Sequence, residues 1–366
     1  MPMTRTTTVT RRQALQWLAA GAAAGALAPG HAATGAPPPK AIRLAGGASY
    51  AAGKLRLSGL AYVIAEQGWL EQQLKARGIA LEWFGTSHAA VGPMVNEGFA
   101  NGSVDFASYG DLPSAILNAG GVETRLLVPN GLGQSDGFLV VPRNSPARTI
   151  EDLKGKSLAV HRGRPWELPL LRLMDARRLS YRDFRLFNIN PQTGMSALAS
   201  GKVDALFTMT DAYLLEDKGV GRIIWSTKDA PLDWKTRTEL WGSKRFIDRY
   251  PDLTRLVATA YIKAGHWSSL EANRQAVMLQ ATAGGTPMNV VRRSYEDDKY
   301  PWKERFSPLF NEVVYTHYRH TLDFALQQKI IARKLDLATW FDPRFVPLAL
   351  KDLGLDNYWK PHTAAA

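Results

Sequence analysis

The sequence has 366 residues, a formal net charge of +12 and no cysteine. The lack of cysteine excludes disulfide bonds, a thiol nucleophile and thiolate metal sites. A chain of this length can bury enough apolar surface without covalent cross-links. Lysine and arginine are spread along the chain rather than concentrated in one basic run. The charge therefore does not predict nucleic-acid binding, and it favours small acidic ligands.

The N-terminus has the features of an export signal. Arg11 and Arg12 precede a short apolar run at residues 17–27, which is the order typical of signal peptides, and adjacent arginines indicate the twin-arginine route. The apolar run is shorter than the ~20 residues needed to span a bilayer. We predict that residues 1–32 are a signal peptide cleaved after Ala32, and that the mature protein is periplasmic or extracellular. A retained N-terminal anchor is the alternative.

Short apolar runs alternate with segments of helical spacing after a proline-rich leader at residues 33–40, which we expect to be flexible. The run at residues 41–45 is typical of a buried strand, and the spacing of apolar residues over 57–74 predicts a helix. Alternation of this kind predicts a mostly parallel sheet. From residue 248 onward the pattern is helical.

One local pattern occurs twice, at residues 102–111 and 201–211. Each copy has a Gly-x-Val-Asp opening, a short apolar strand, and an aspartate where a helix begins. The free N–H groups and the positive dipole end of such a helix can hold an anion. We predict two α/β lobes that share a crevice: residues 41–141, completed by residues 232–360, and residues 142–231. The alternative is that Gly-x-Val-Asp is only a common turn.

The order of several motifs resembles that of the periplasmic substrate-binding proteins of ABC importers for aliphatic sulfonates, taurine and nitrate. The motifs are Gly68-Trp-Leu-Glu71, Tyr109-Gly-Asp-Leu-Pro113, Asn144-Ser-Pro146, Leu153-Lys-Gly-Lys156, Gly201-Lys-Val-Asp-Ala205, Pro251-Asp-Leu253 and Phe341-Asp-Pro343. The resemblance covers nearly the whole mature chain. It implies an α/β, two-lobed type II binding-protein fold, with a mostly parallel sheet flanked by helices in each lobe. Ligand would be trapped in the cleft by hinge bending near residues 141–144 and 225–231.

The resemblance also places the ligand contacts in loops at the carboxyl ends of strands. The ligand-binding residues that it implies are Ser49, Tyr50, His88, Tyr109, Gly110, Asp111, Ser135, Arg162, Gly163, Arg164, Trp166 and Asp211. A sulfonate or nitrate is best held by neutral donors and about one cation, because several buried charges cost more desolvation than they return. Arg162 or Arg164 could supply that cation, and Trp166 could cover an apolar tail. The alternatives are solvated arginines and a tryptophan in the core.

We therefore expect an exported, monomeric solute-binding protein that delivers a small organic anion to an ABC permease, without cofactor or metal. The alternatives are a periplasmic enzyme of the same fold acting on an aromatic or heterocyclic acid, and a partner that presents ligand to a membrane sensor. Desulfinases of this fold depend on a cysteine, which is absent here. His317 and His320 share a helix face without a carboxylate at the usual spacing, so we predict that both lie on the surface.

Overall fold

The computed structural model describes residues 37–51, 53–86, 91–132, 135–282, 285–296 and 300–361. The predicted signal peptide lies outside these ranges. The strands within them are β1 (Ala41–Ala51), β2 (Lys54–Leu57), β3 (Ala80–Thr86), β4 (Phe106–Gly110), β5 (Thr124–Val128), β6 (Phe138–Pro142), β7 (Ser157–Val160), β8 (Arg185–Asn188), β9 (Ala205–Thr208), β10 (Gly221–Ser226) and β11 (Thr238–Ser243).

Helices connect these strands and continue beyond the last of them. They are α1 (Gly59–Gln67), α2 (Trp69–Lys75), α3 (Val91–Asn101), α4 (Asp111–Ala119), α5 (Glu167–Ala176), α6 (Pro191–Ala199), α7 (Asp211–Asp217), α8 (Lys244–Arg249), α9 (Pro251–Ser269), α10 (Arg274–Ala281), α11 (Met288–Glu296), α12 (Glu312–Gln327), α13 (Leu337–Trp340) and α14 (Phe345–Asp352). Among the residues that the structure describes, no helix is both long and apolar enough to cross a membrane.

The first sheet has the strand order β2-β1-β4-β11-β5, with β3 also paired to β1. The β1 strand is parallel to β3 and β4, whereas β11 is antiparallel to both β4 and β5. Ile42 and Leu44 alternate along β1 with a less buried residue between them, and both are fully buried. This period of two directs one face of β1 into the core.

The second sheet has the order β10-β6-β9-β7-β8. Parallel pairing joins β7 to β8 and β9, while β6 is antiparallel to both β9 and β10. The antiparallel strands β6, β10 and β11 lie next to the places where the chain crosses from one sheet to the other, whereas β2 forms an antiparallel hairpin with β1. The prediction of an α/β fold with two sheets flanked by helices is confirmed. The sheets are mixed and not mostly parallel as predicted, because β2, β6, β10 and β11 run antiparallel to their neighbours.

The strand β6 lies in the second sheet, whereas the sequence predicts that residues up to 141 belong to the first lobe. That assignment is wrong for β6 because its residues pair with β9 and β10. The chain therefore crosses to the second sheet between β5 and β6, and returns between β10 and β11. The crossings touch through a β-bridge between Ser135 and Thr236. The Asp136 carboxylate also accepts a 2.6 Å hydrogen bond from the Thr227 hydroxyl.

The helices after β11 contact the cores of both sheets. In α12, Tyr318 and Leu322 belong to a core cluster with residues of the first sheet, whereas Phe324 belongs to the cluster of the second. Val290 of α11 is buried among residues of the second sheet and its helices. The C-terminal helices therefore join the two sheets in addition to the two crossings.

Candidate functional site

The loops that follow β4 and β7 are in direct contact. A Cβ atom built on Gly110 would lie 2.1 Å from Cγ of Pro165, far inside the contact distance of two carbon atoms. Only a hydrogen atom fits between these two loops. The carboxyl end of the first sheet therefore meets that of the second, which is where ligands bind in open α/β sheets.

Arg164 lies beside the start of α3. Its side chain is buried, with the residue 5% exposed, and one guanidinium nitrogen is 3.1 Å from the position that a Cβ on Gly92 would occupy. Burial lowers the pKa of Arg164, but a guanidinium stays protonated in proteins. The helix α3 has 11 residues, so its first N–H groups and dipole add to the positive potential of the guanidinium. This arrangement suits an anion with several oxygens.

Arg162 and Gly163 have a different environment from Arg164, although all three lie in one loop. Arg162 is about half exposed, and its Nε donates a 2.9 Å hydrogen bond to the Glu167 carboxylate. The Gly163 N–H also donates to Glu167, as does the Tyr181 hydroxyl at 2.8 Å. The buried Glu167 therefore compensates the charge of Arg162 and fixes the shape of the loop, and Arg164 is the better candidate for holding an anion.

Trp166 is half-buried and packs against the core of the second sheet. Its ring lies 6.1 Å from the ring of His161. The indole Nε1 is buried and has no hydrogen-bond partner among the residues that the structure describes. Burial, and then the nearby Arg164, lowers the pKa of His161. Trp166 is thus mainly a packing residue, and its indole donor is unpaired within the described part of the chain.

Tyr109 and Asp111 are both buried on the first sheet's side of the loop contact. Tyr109 is 2% exposed and packs 5.9 Å from Phe99 and 6.5 Å from Trp241 in the core. Asp111 is fully buried, and one carboxylate oxygen accepts a 2.6 Å hydrogen bond from the N–H of Leu112. These contacts favour a structural role for both side chains, and their contact with ligand remains a prediction.

The second oxygen of Asp111 has remote partners. It accepts a 3.1 Å hydrogen bond from the Arg237 N–H and lies 2.8 Å from His317 Nε2. His317 Nδ1 lies 2.8 Å from the carbonyl oxygen of Asp233, in the returning crossing. The prediction of a surface position is wrong for His317, which is fully buried, because its carboxylate partner comes from another helix. His320 is exposed.

Ser49 and Tyr50 lie on a hairpin formed by the end of β1 and β2. Ser49 is half-buried and pairs with Arg56 of β2 and Thr86 of β3. Tyr50 is 62% exposed. His88, a further predicted ligand residue, lies outside the residues that the structure describes. The hairpin stands at the carboxyl end of β1, on the same edge of the sheet as the start of α3.

Ser135 lines a cavity of about 190 Å³ at the cleft-facing edge of the second sheet. Thr210, next to Asp211, lines the same cavity. Asp211 is half-buried, its pKa is raised by burial, and the Thr208 hydroxyl lies 3.4 Å from its carboxylate. Among the described residues, no group of three or more His, Asp or Glu could hold a metal ion.

The structure therefore brings together Gly110, Arg164 and the start of α3. It places Ser135 and Asp211 along the cleft-facing edge of the second sheet. Sequence reasoning missed Glu167 and His317. Glu167 had a local signal, because an acid three residues after Arg164 can pair with the arginines of its own loop. His317 had none, because its partner lies 206 residues away in the sequence.

Comparison with known proteins gives one consistent family. Residues 70–234 match the family described as "ABC transporter, phosphonate, periplasmic substrate-binding protein". A protein of Bacillus subtilis (strain 168) named for aliphatic sulfonate binding is 25% identical over 288 residues, which are 78% of this chain and 83% of that protein. The alkanesulfonate-binding protein SsuA from Xanthomonas axonopodis pv. citri, bound to MOPS, is 23% identical with a TM-score of 0.65, covering 84% of this chain and 100% of that one.

A further solved structure is more similar still. The periplasmic sulfonate-binding protein SsuA from Methylobacillus flagellatus KT is 41% identical, with a TM-score of 0.79 over 89% of this chain and 98% of that one. Identity at this level over almost the whole of a relative is evidence of common family membership. The chain belongs to the family of periplasmic sulfonate-binding proteins of ABC transporters.

Proposed function

We propose that this protein captures a small organic sulfonate in the cleft between its two sheets and delivers it to the permease of an ABC importer. The observation that carries the proposal is the buried Arg164 guanidinium beside Gly92, at the start of α3. The names of the relatives support the same ligand class. A monomer is the simplest form that fits a one-to-one delivery of ligand.

The chemistry of a sulfonate explains why one cation is sufficient. A sulfonate stays anionic at physiological pH, so a permanently charged guanidinium matches it across that range. Its three oxygens can accept from the guanidinium fork and from N–H groups at the helix start together. A charge-assisted hydrogen bond of this kind contributes about 1.5–3 kcal/mol, which is roughly ten- to a hundred-fold in affinity.

Calorimetric titration with ethanesulfonate tests this role, using Arg164→Ala and the matched variant Arg162→Ala. We expect Arg164→Ala to weaken binding at least about tenfold. Arg162→Ala should bind nearly as the unmodified protein does, because Glu167 already compensates that charge. Equal losses in the two variants would contradict the assignment of the anion to Arg164.

We also propose that the protein reaches the periplasm by the twin-arginine route and is cleaved after Ala32. The support is the Arg11-Arg12 pair before the apolar run. Replacing both arginines by lysine should leave the precursor in the cytoplasm, as judged by cell fractionation and immunoblotting. Normal export of that variant would exclude this route.

An enzymatic role is the less supported alternative. A desulfinase of this fold would need a cysteine nucleophile, and the sequence has no cysteine. A binding protein returns its ligand unchanged after denaturation, whereas an enzyme converts it. Mass spectrometry of a sulfonate recovered after prolonged incubation therefore separates the two roles.

A further inference from the structure

The loop between β7 and α5 carries two guanidinium groups and ends at a carboxylate. Arg162 and Arg164 belong to the loop, and Glu167 is the first residue of α5. The Glu167 N–H donates a 3.0 Å hydrogen bond to the carbonyl oxygen of Arg164. The carboxylate therefore belongs to the same turn of the chain as the guanidinium to which we assign the anion.

The Glu167 carboxylate accepts three hydrogen bonds. One oxygen accepts from Arg162 Nε at 2.9 Å and from the Tyr181 hydroxyl at 2.8 Å, and the other accepts from the Gly163 N–H. Burial, and then the charge of Glu167, raises the pKa of Tyr181, so this hydroxyl keeps the hydrogen that it donates. Three accepted bonds are typical of the ionised carboxylate, which can only accept. Glu167 therefore contributes a negative charge to the loop.

The opposite charges of Glu167 and Arg162 differ in their exposure to solvent. The Arg162 side chain is 49% exposed, whereas that of Glu167 is 4% exposed. Water screens an exposed charge far more than a buried one. The potential around Arg164 is therefore lowered by Glu167 more than it is raised by Arg162. Burial, and then Arg164, lowers the pKa of His161, so His161 adds no positive charge above neutral pH.

The charge of Glu167 acts unequally on anions of different charge. Coulomb energy is proportional to the product of the two charges, so Glu167 repels a dianion twice as strongly as a monoanion in the same position. The dianion also loses more hydration when it is buried. A sulfonate carries one charge, and a phosphonate of the same tetrahedral shape carries two above its second ionisation. Charge, and not shape, is therefore the property by which this loop can separate the two.

We propose that Glu167 is a specificity-determining residue that limits the site to anions with a single charge. The inference rests on the proposed function, because it assumes that Arg164 holds the anion. Arg164 attracts both kinds of anion, and Glu167 discriminates between them through the potential within the loop. The division of roles explains why a buried carboxylate lies in a loop that binds an anion.

Two ligands of the same shape and three variants test the proposal by calorimetry. The ligands are ethanesulfonate and ethylphosphonate, at a pH above the second ionisation of the phosphonate. Glu167→Gln removes the charge and keeps the size of the side chain. Tyr181→Phe removes one hydrogen bond to Glu167 and keeps the charge. Glu216→Gln is the matched control, because Glu216 likewise accepts from an arginine, Arg293, and from a backbone N–H, that of Ile223, away from this loop.

We expect the unmodified protein to bind ethanesulfonate at least about tenfold more tightly than the phosphonate dianion. Glu167→Gln should reduce this preference at least about fivefold, because it removes the unequal repulsion. Tyr181→Phe and Glu216→Gln should keep the preference. Glu167→Met, a residue of similar length, provides the same change of charge if Glu167→Gln is unstable.

The inference alone would be overturned by an unmodified protein without the preference, or by a preference that survives both Glu167 variants. An equal loss of preference in Glu216→Gln would assign the effect to the overall charge of the protein. An equal loss in Tyr181→Phe would assign it to the shape of the loop. Either result would also overturn the inference. Failure of ethanesulfonate to bind the unmodified protein would instead overturn the proposed function.

Discussion

The two copies of the Gly-x-Val-Asp pattern have the same local fold and different surroundings. Each forms a strand and then a helix that begins at an aspartate, Asp111 in the first sheet and Asp211 in the second. Asp111 is fully buried and contacts Leu112, Arg237 and His317. Asp211 is half-buried beside the ligand-sized cavity. The same local pattern therefore gives a structural residue in one sheet and a residue near the cleft in the other.

The largest expected difference between the copies is in stability. Asp111→Ala leaves His317 and the Arg237 N–H without their buried partner, and removing one member of a buried pair costs about 3–5 kcal/mol. Asp211→Ala removes one 3.4 Å contact with Thr208 and should cost less than about 1 kcal/mol. Urea denaturation of both variants measures the difference. Similar costs in the two variants would contradict the structural role of Asp111.

A smaller difference is expected in the affinity for a sulfonate when the residue before each aspartate, Gly110 or Thr210, is replaced. Gly110→Val places a side chain against Pro165 of the facing loop, so we expect sulfonate binding to weaken at least about tenfold. Thr210 lines the cavity beside Ser135, and Thr210→Val removes a hydroxyl there without adding bulk between the two loops, so it should leave ethanesulfonate binding almost unchanged. Calorimetric titration of both variants tests the contrast.

The contact between the two loops provides an internal control. Pro165→Ala removes the Cγ atom that Gly110→Val would meet. The double variant should therefore recover part of the lost affinity, since the two substitutions act on one contact. Strictly additive losses would show that Gly110→Val acts within its own sheet and not on the closed cleft.

The smallest expected difference is in how stability depends on pH. It concerns Asp105 and Asp204, the aspartates of the two Gly-x-Val-Asp sequences. Burial, opposed by Arg43, raises the pKa of Asp105, whereas hydrogen bonds from Ser157 lower the pKa of Asp204. The stability contributed by Asp204 is present above the ordinary carboxyl pKa and is lost as the pH falls through its lowered value. The folded state favours the protonated form of Asp105. The stability that this form contributes is therefore lost as the pH rises toward the raised pKa of Asp105.

Asn substitutions reveal these opposite signs. The stability difference between the unmodified protein and Asp204→Asn should shrink as the pH falls from about 6 to about 3. The corresponding difference for Asp105→Asn should change in the opposite direction. Urea denaturation at a series of pH values measures both slopes, and slopes of the same sign would refute the contrast between the two aspartates.

Local sequence patterns predicted the strands and helices themselves better than they predicted which strands pair with one another. Both copies of the pattern form the predicted strand and helix, because apolar runs and helix starts depend on residues close in the chain. The strand β11 was not predicted, since its residues lie between 3-10 turns and the C-terminal helices and owe their pairing to β4 and β5. The sheet that β6 joins likewise depends on β9 and β10 and not on its own sequence.

The candidate site shows the same limit. Sequence alone gave Arg162 and Arg164 equal standing, and only the three-dimensional structure shows that Glu167 pairs with the former while the latter lies against α3. The helix α11, which lines the cavity beside Ser135 with Ser294 and Tyr295, was predictable as a helix. Its position over Tyr213 was not, because that position depends on contacts of Arg293 with Glu216 and of Asn289 with Asp217, which are 77 and 72 residues apart in the sequence.

The contacts of His317 fix a proton in a place that water does not reach. The Asp233 carbonyl can only accept, so Nδ1 must carry a hydrogen. Nε2 faces a carboxylate oxygen of Asp111 at 2.8 Å, so a second hydrogen lies between those atoms. Both side chains are fully buried, and exchange of these hydrogens with deuterium requires local opening. The exchange rate of the imidazole hydrogens in NMR spectra would therefore report how often the region around α12 opens.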